Sequence, residues 1–162
     1  MEAGRRRRIV GVIGESQISN PEHTRLAEEV GALLAESGYI LVCGGLTGVM
    51  EAACRGARSR GGITVGILPG VDITEANRYV DIPIATGAGQ MRNVMIVLTA
   101  EALIAIGGGY GTLSEIGHAL RAGKPVVGLR TWQAVRGGEA APIVYVETAA
   151  EAVEAVRRIL GP

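Results

Sequence analysis

Ala102-Leu103-Ile104-Ala105-Ile106-Gly107-Gly108-Gly109-Tyr110-Gly111-Thr112-Leu113-Ser114-Glu115 reads as a buried strand, a glycine loop and the start of a helix, in that order. The apolar run to Ile106 suits a strand covered on both faces, as in a parallel sheet. Four glycines within five residues then remove Cβ atoms, so the backbone can take positive φ and come close to a ligand. Thr112 is the expected N-cap, with Glu115 three residues on at the capping-box spacing. A helix running on through Ile116, Ala119 and Leu120 would aim free N–H groups and its positive dipole end into the loop. That is an anion site, and phosphate is its usual occupant.

Working outward, Ile9 to Ile13 is the first expected strand, ending at Gly14-Glu15-Ser16. A helix should begin at Pro21 behind Asn20 as N-cap, with Leu26, Val30, Leu33 and Leu34 on its inner face and Gly38 as its stop. Tyr39 to Cys43 makes a second strand, followed by Gly44-Gly45-Leu46-Thr47-Gly48 and a helix from about Val49 to Arg58. Ile63 to Leu68 is a third strand, and a short extended piece is expected at Tyr79 to Ile82. Gln90 to Thr99 reads as a helix. Val126 to Leu129 and Ile143 to Val146 are further strands, separated by a polar loop around Trp132. The last helix spans Ala149 to Leu160, with Val153, Val156, Ile159 and Leu160 turned inward. This alternation predicts an α/β fold, a Rossmann-like doubly wound parallel sheet in three layers, with right-handed crossovers. The chain reads as one domain over residues 1–162, and its glycine loops should gather outside the carboxyl ends of the strands, where such sheets bind ligands.

Sixteen acidic residues balance sixteen basic ones, so no global field argues for nucleic acid or membrane as a partner. Arg5 to Arg8 read as a solvated N-terminal tail, because no apolar stretch or cleavage site follows as in a signal peptide. Cys43 and Cys54 have neither metal nor redox spacing and are expected as reduced core residues in a cytoplasmic protein. His118 stands one turn beyond Glu115, but one histidine and one glutamate make no metal site. No metal and no resident cofactor are expected. The dinucleotide fingerprint is missing after the first strand, which ends Gly11-Val12-Ile13-Gly14, and no acidic residue closes the second. A P-loop would need Gly-Lys-Ser/Thr, whereas the single lysine, Lys124, lies elsewhere.

Two glycine loops in order, Gly44-Gly45-x-x-Gly48-x-Met50 and Gly107-Gly108-Gly109-x-Gly111-Thr112-x-x-Glu115, resemble those of the Lonely Guy family, many of whose members were once labelled lysine decarboxylases. The resemblance runs from Val10 to about Leu129. It implies hydrolysis of the N-glycosidic bond of nucleoside 5′-monophosphates, or, through relatives in the same superfamily, non-catalytic carriage of molybdenum cofactor or another nucleotide or pterin ligand. Two positions depart from the family pattern. Gly107 replaces a proline, and Arg92-Asn93 replaces the Arg-Lys of the enzymes. The Arg-Asn form is similar to a bacterial subgroup close to the cofactor carriers.

The resemblance and the loop chemistry together name the candidate residues. Arg92 and Glu115 are the catalytic candidates. Ser16, Gly44, Gly45, Arg92, Asn93, Gly107, Gly108, Gly109, Tyr110, Gly111 and Thr112 are the ligand-binding ones. Arg92 would grip phosphate bidentately. Glu115 would face the ligand as an ionised carboxylate, stabilising an oxocarbenium-like ribose or orienting water. Glu15 and Ser16 either reach the ligand or form a plain turn, and Met50 and Met95 read as core or interface filler. The expected partner is a phosphorylated, nucleotide-type small molecule. A homodimer or larger homo-oligomer is also expected, since Met91 to Leu98 has apolar residues on most faces.

Overall fold

The computed structural model describes residues 4–162, so the start of the basic tail, residues 1–3, lies outside the described residues. Seven strands form one all-parallel sheet: β1 (Ile9–Gly14), β2 (Ile40–Cys43), β3 (Thr64–Leu68), β4 (Ile82–Ala85), β5 (Ala102–Ile106), β6 (Val126–Leu129) and β9 (Ile143–Val146). Their order is β4-β3-β2-β1-β5-β6-β9. The chain therefore builds outward from β1 to one edge, returns to the centre, and builds outward again from β5. Every residue of β5 is buried, as its unbroken apolar run requires.

Five helices cover the two faces. On one face α1 (Pro21–Glu36), α2 (Val49–Ser59) and α5 (Ala149–Leu160) bury Leu26, Val30, Ala53, Val153 and Val156 against Val12, Ile104 and Val127. On the other, α3 (Arg92–Thr99) and α4 (Tyr110–Arg121) bury Ile96, Val97, Ile116 and Ala119 against Ile13, Val42 and Leu103. Asn20 caps α1 as expected, its side chain accepting from the Glu22 N–H at 3.0 Å. Cys43 and Cys54 are buried free thiols with their Sγ atoms 3.5 Å apart.

Several boundaries differ from expectation, each for a physical reason. Residues 79–81 do not run along the sheet. They are held by Thr64 instead, whose hydroxyl is shared between the Tyr79 carbonyl at 2.6 Å and the Asp81 carboxylate at 3.1 Å. The strand starts only at Ile82, and as an edge strand it tolerates Pro83. The Gln90 to Thr99 helix opens as a 3₁₀ turn over Gly89–Met91 and becomes α-helical at Arg92. The loop between β6 and β9 holds a small antiparallel hairpin, β7 (Val135–Arg136) and β8 (Glu139–Ala140). Ile159 on α5 is exposed, because the inward stripe is completed by Ala149 and Ala152 instead.

The start of α4 is the correction with functional weight. Gly109, in an extended conformation (φ −95°, ψ −156°), is its N-cap, and the first turn closes with Leu113 N–H donating to the Gly109 carbonyl at 3.1 Å. Thr112 is therefore inside the first turn and Glu115 lies further along the helix, so they form no capping box. Spacing fixed the interval between the two residues but not their register against the helix start.

Candidate functional site

A cleft of about 420 Å³ opens at the carboxyl ends of the strands. It lies where the strand order reverses, between the loop after β1 and the loop after β5, with the loop after β2 forming its far wall. Of the sequence candidates, Ser16, Gly44, Arg92, Asn93, Gly109, Tyr110, Gly111, Thr112 and Glu115 line it. Gly45, Gly107 and Gly108 do not; they shape the loops behind its walls.

Five polar or charged side chains are buried among the described residues, and four of them, Arg92, Asn93, Thr112 and Glu115, line this one cleft. The fifth, Thr64, is fully engaged by Tyr79 and Asp81. Burying polar groups costs free energy unless they find partners. Their convergence on one concave surface makes it the candidate functional site.

Glu115 is only 7% exposed and makes no hydrogen bond or ion pair with the described residues. Burial pushes its carboxyl up to about 8, and the Arg92 charge opposes that only in part. Against the expectation of an ionised carboxylate, removal from water outweighs the pull of the arginine, which favours the protonated form near neutral pH. Arg92, at the first residue of α3, donates from Nε to the Ile67 carbonyl at 2.9 Å and from its terminal nitrogens to Asn93 Oδ1 and, at 3.4 Å, the Gly44 carbonyl. The guanidinium thus ties the ends of β2 and β3 to α3, and one N–H on each terminal nitrogen is left for a ligand. Glycine at 44 leaves room for that contact, since a Cβ there would stand 2.8 Å from both Arg92 Nη2 and Met50 Sδ.

The glycine loop completes the cleft. No side chain caps α4, so the N–H groups of Tyr110, Gly111 and Thr112 have no intrahelical acceptor. Gly107 is in the left-handed region (φ +56°), packed against His23. Gly109 and Gly111 differ from it. Neither has positive φ, and a Cβ on either would meet nothing within 4 Å. The fold makes no demand for glycine at these two positions, yet both line the cleft.

Two further residues contribute, Glu15, for which the sequence leaves a ligand contact and a plain turn open, and Trp132. Glu15 lines the cleft with its carboxylate turned to His23 Nδ1 (2.7 Å) and Ser19. Burial raises this carboxyl, but the hydrogen bonds from His23 and Ser19 outweigh that and hold it below the usual carboxylate range. Trp132 serves as a loop anchor: its Nε1 donates to the Gly109 carbonyl at 3.0 Å, and its ring stacks on Tyr110. From the sequence a loop anchor and a subunit contact are both open for Trp132, and its distance along the chain from the glycine loop leaves the choice between them undecided. His118 is half-buried near the end of α4, away from the cleft lining.

The comparisons agree with this architecture. The model of the SLOG cluster4 family matches residues 7–156. An uncharacterised protein from Archaeoglobus fulgidus is 48% identical over 128 residues, covering 79% of this chain and 83% of its own. The cytokinin riboside 5′-monophosphate phosphoribohydrolase of Mycobacterium tuberculosis is 34% identical over 126 residues, covering 70% of this chain and 67% of its own. Among solved structures, the molybdenum cofactor carrier protein of Chlamydomonas reinhardtii superposes with a TM-score of 0.86 at 36% identity, covering 96% of this chain and 99% of that one. The chain belongs to the SLOG cluster4 family, a Lonely Guy-like family.

Proposed function

We propose that the cleft binds a phosphorylated, nucleotide-type small molecule. Its phosphate sits on the N–H groups of Tyr110, Gly111 and Thr112, and its sugar, with the glycosidic bond, lies over Arg92, Asn93 and Glu115. The observation that supports this is the convergence of four buried polar side chains on one uncapped helix N-terminus. The names of the two characterised relatives, one for a riboside 5′-monophosphate and one for the molybdenum cofactor, are consistent with such a ligand.

The chemistry we assign is hydrolysis of the N-glycosidic bond. As the bond between C1′ and the base nitrogen breaks, Glu115 gives its proton to the departing nitrogen and water adds its oxygen at C1′. The proton lost by that water restores Glu115. The held phosphate positions the sugar, so binding energy from the remote group serves the reacting centre. A protonated carboxyl in a buried cleft favours this reading. The second reading is carriage without chemistry, favoured by the engagement of Arg92 with Asn93 and two backbone carbonyls.

Assay of base release from purine, cytokinin and pterin phosphates separates the two. Under the hydrolase reading Glu115→Gln lowers release by roughly 10²–10⁴-fold while AMP binding persists. Under the carrier reading the parent protein releases no base above a protein-free control. Failure of the parent to bind any of these phosphates overturns both. A second copy of the chain is further proposed to cover the exposed stripe Met91, Met95 and Leu98 beside the site, and the paired free thiols fit a reducing cytoplasm.

A further inference from the structure

The chain has four tyrosines, one tryptophan and no phenylalanine, and three of these aromatic residues are linked in series, ending at Tyr110 in the cleft lining. Tyr145 Oη donates to the Trp132 carbonyl at 2.7 Å, and Trp132 Nε1 donates to the Gly109 carbonyl at 3.0 Å. The Trp132 ring then lies against Tyr110, with centroids 5.8 Å apart and planes inclined by 28°. The segment leading into this arrangement includes Arg130, the one non-glycine residue with positive φ (58°) among the described residues. After that turn the Thr131 hydroxyl also donates to the glycine loop, at the Gly107 carbonyl, 2.6 Å away. An unfavourable backbone conformation and two side-chain anchors thus hold one indole in place.

What that indole supports is a side chain the fold does not use. Tyr110 is 83% exposed, so its ring contributes little to the core, yet it lines the cleft as the first residue of α4. One of its faces is backed by Trp132. We propose that Tyr110, fixed by Trp132, is the platform on which the planar ring of the ligand stacks, making the site selective for phosphates that bear a heteroaromatic ring over sugar phosphates alone. This rests on the function proposed above. A nucleotide-type ligand holds its ring one sugar away from its phosphate, and Tyr110 adjoins the N–H groups assigned to that phosphate. Aromatic stacking on a pre-fixed side chain adds affinity at little entropic cost.

The test compares AMP with ribose 5-phosphate by titration calorimetry on the parent, Tyr110→Leu and Tyr110→Phe. The parent binds AMP about five- to a hundred-fold more tightly than ribose 5-phosphate, the range typical of base–aromatic stacking. Tyr110→Leu loses that gap by weakening AMP alone, and Tyr110→Phe restores it. Trp132, the sole tryptophan, changes its emission with AMP and not with ribose 5-phosphate. If Tyr110→Leu weakens both ligands equally, or leaves the gap intact, the platform is refuted while the phosphate site stands. The same holds if the parent binds both ligands equally, or if Tyr110→Leu alters only self-association. Binding of neither ligand to the parent overturns the proposed function and the platform with it.

Discussion

A single carboxyl, Glu115, sets a measurable pH dependence. Its folded pKa of about 8 lies above the ordinary value of 4.5, so the folded state binds this proton more tightly than the unfolded chain does. The stabilisation is complete below pH 4.5, declines as pH rises toward 8, and is lost above it. At about 1.4 kcal/mol per unit, the group costs on the order of several kcal/mol on the alkaline side. Denaturant titrations from pH 5 to 9 should show stability of the parent falling relative to Glu115→Gln, with the variant the more stable above pH 8. Parallel curves would remove the case for a protonated Glu115. Glycine identity gives a second residue-scale contrast. Gly14→Ala drives a Cβ to 2.5 Å from both the Ile106 carbonyl and Val49 Cγ1 and should cost about 1–3 kcal/mol. Gly109→Val meets open space in extended backbone and should leave the melting temperature nearly unchanged while abolishing phosphate binding. In the sequence these two glycines look alike. Both line the cleft, and only the surroundings of the missing Cβ show that the fold demands glycine at 14 and not at 109.

Elements were legible wherever burial imposed a period or a run. β5 shows five consecutive apolar residues, and α5 begins and ends where its pattern does. Legibility failed where tertiary contacts decided. Thr112 and Glu115 have the spacing of a capping box, but the glycine at 109 lets the helix begin three residues earlier, and the threonine is turned to the cleft instead. The Arg92–Asn93 pair was visible as a motif, whereas the engagement of Arg92 with the ends of β2 and β3 depends on strands far away in sequence. α3 combines both cases. Ile96 and Val97 are buried as its pattern requires, while Met91, Met95 and Leu98 are 67%, 42% and 59% exposed. Apolar residues at that spacing form one stripe on a helix that also bears cleft residues. Sedimentation velocity at micromolar concentration should show a dimer or larger symmetric oligomer, and Met95→Glu with Leu98→Glu should yield monomer. A monomeric parent would leave the stripe without the proposed partner.

At the scale of the whole molecule, the sheet is two parallel runs joined at the β1–β5 pair, from Val10↔Ala102 to Gly14↔Ile106. The cleft takes its walls from both runs: Gly44, Leu46 and Met50 follow β2 on one side, while Tyr110, Thr112 and Glu115 follow β5 on the other. A ligand bound there touches loops that the backbone hydrogen bonds of the sheet do not link directly. Binding should accordingly stabilise the molecule as a unit and not one loop alone. A ligand at about a hundred times its Kd adds roughly 2.7 kcal/mol. For a domain of this size each kcal/mol raises the melting temperature by about 2–4 °C, so saturating AMP should raise it by about 5–10 °C. Gly109→Val should melt at the parent temperature without ligand and show no rise with it. An equal rise in parent and variant would place the ligand elsewhere on the molecule. A rise in the parent that also follows from inorganic phosphate alone would assign the stabilisation to the amino end of α4, leaving the walls near Gly44 and Arg92 to select what the phosphate is attached to.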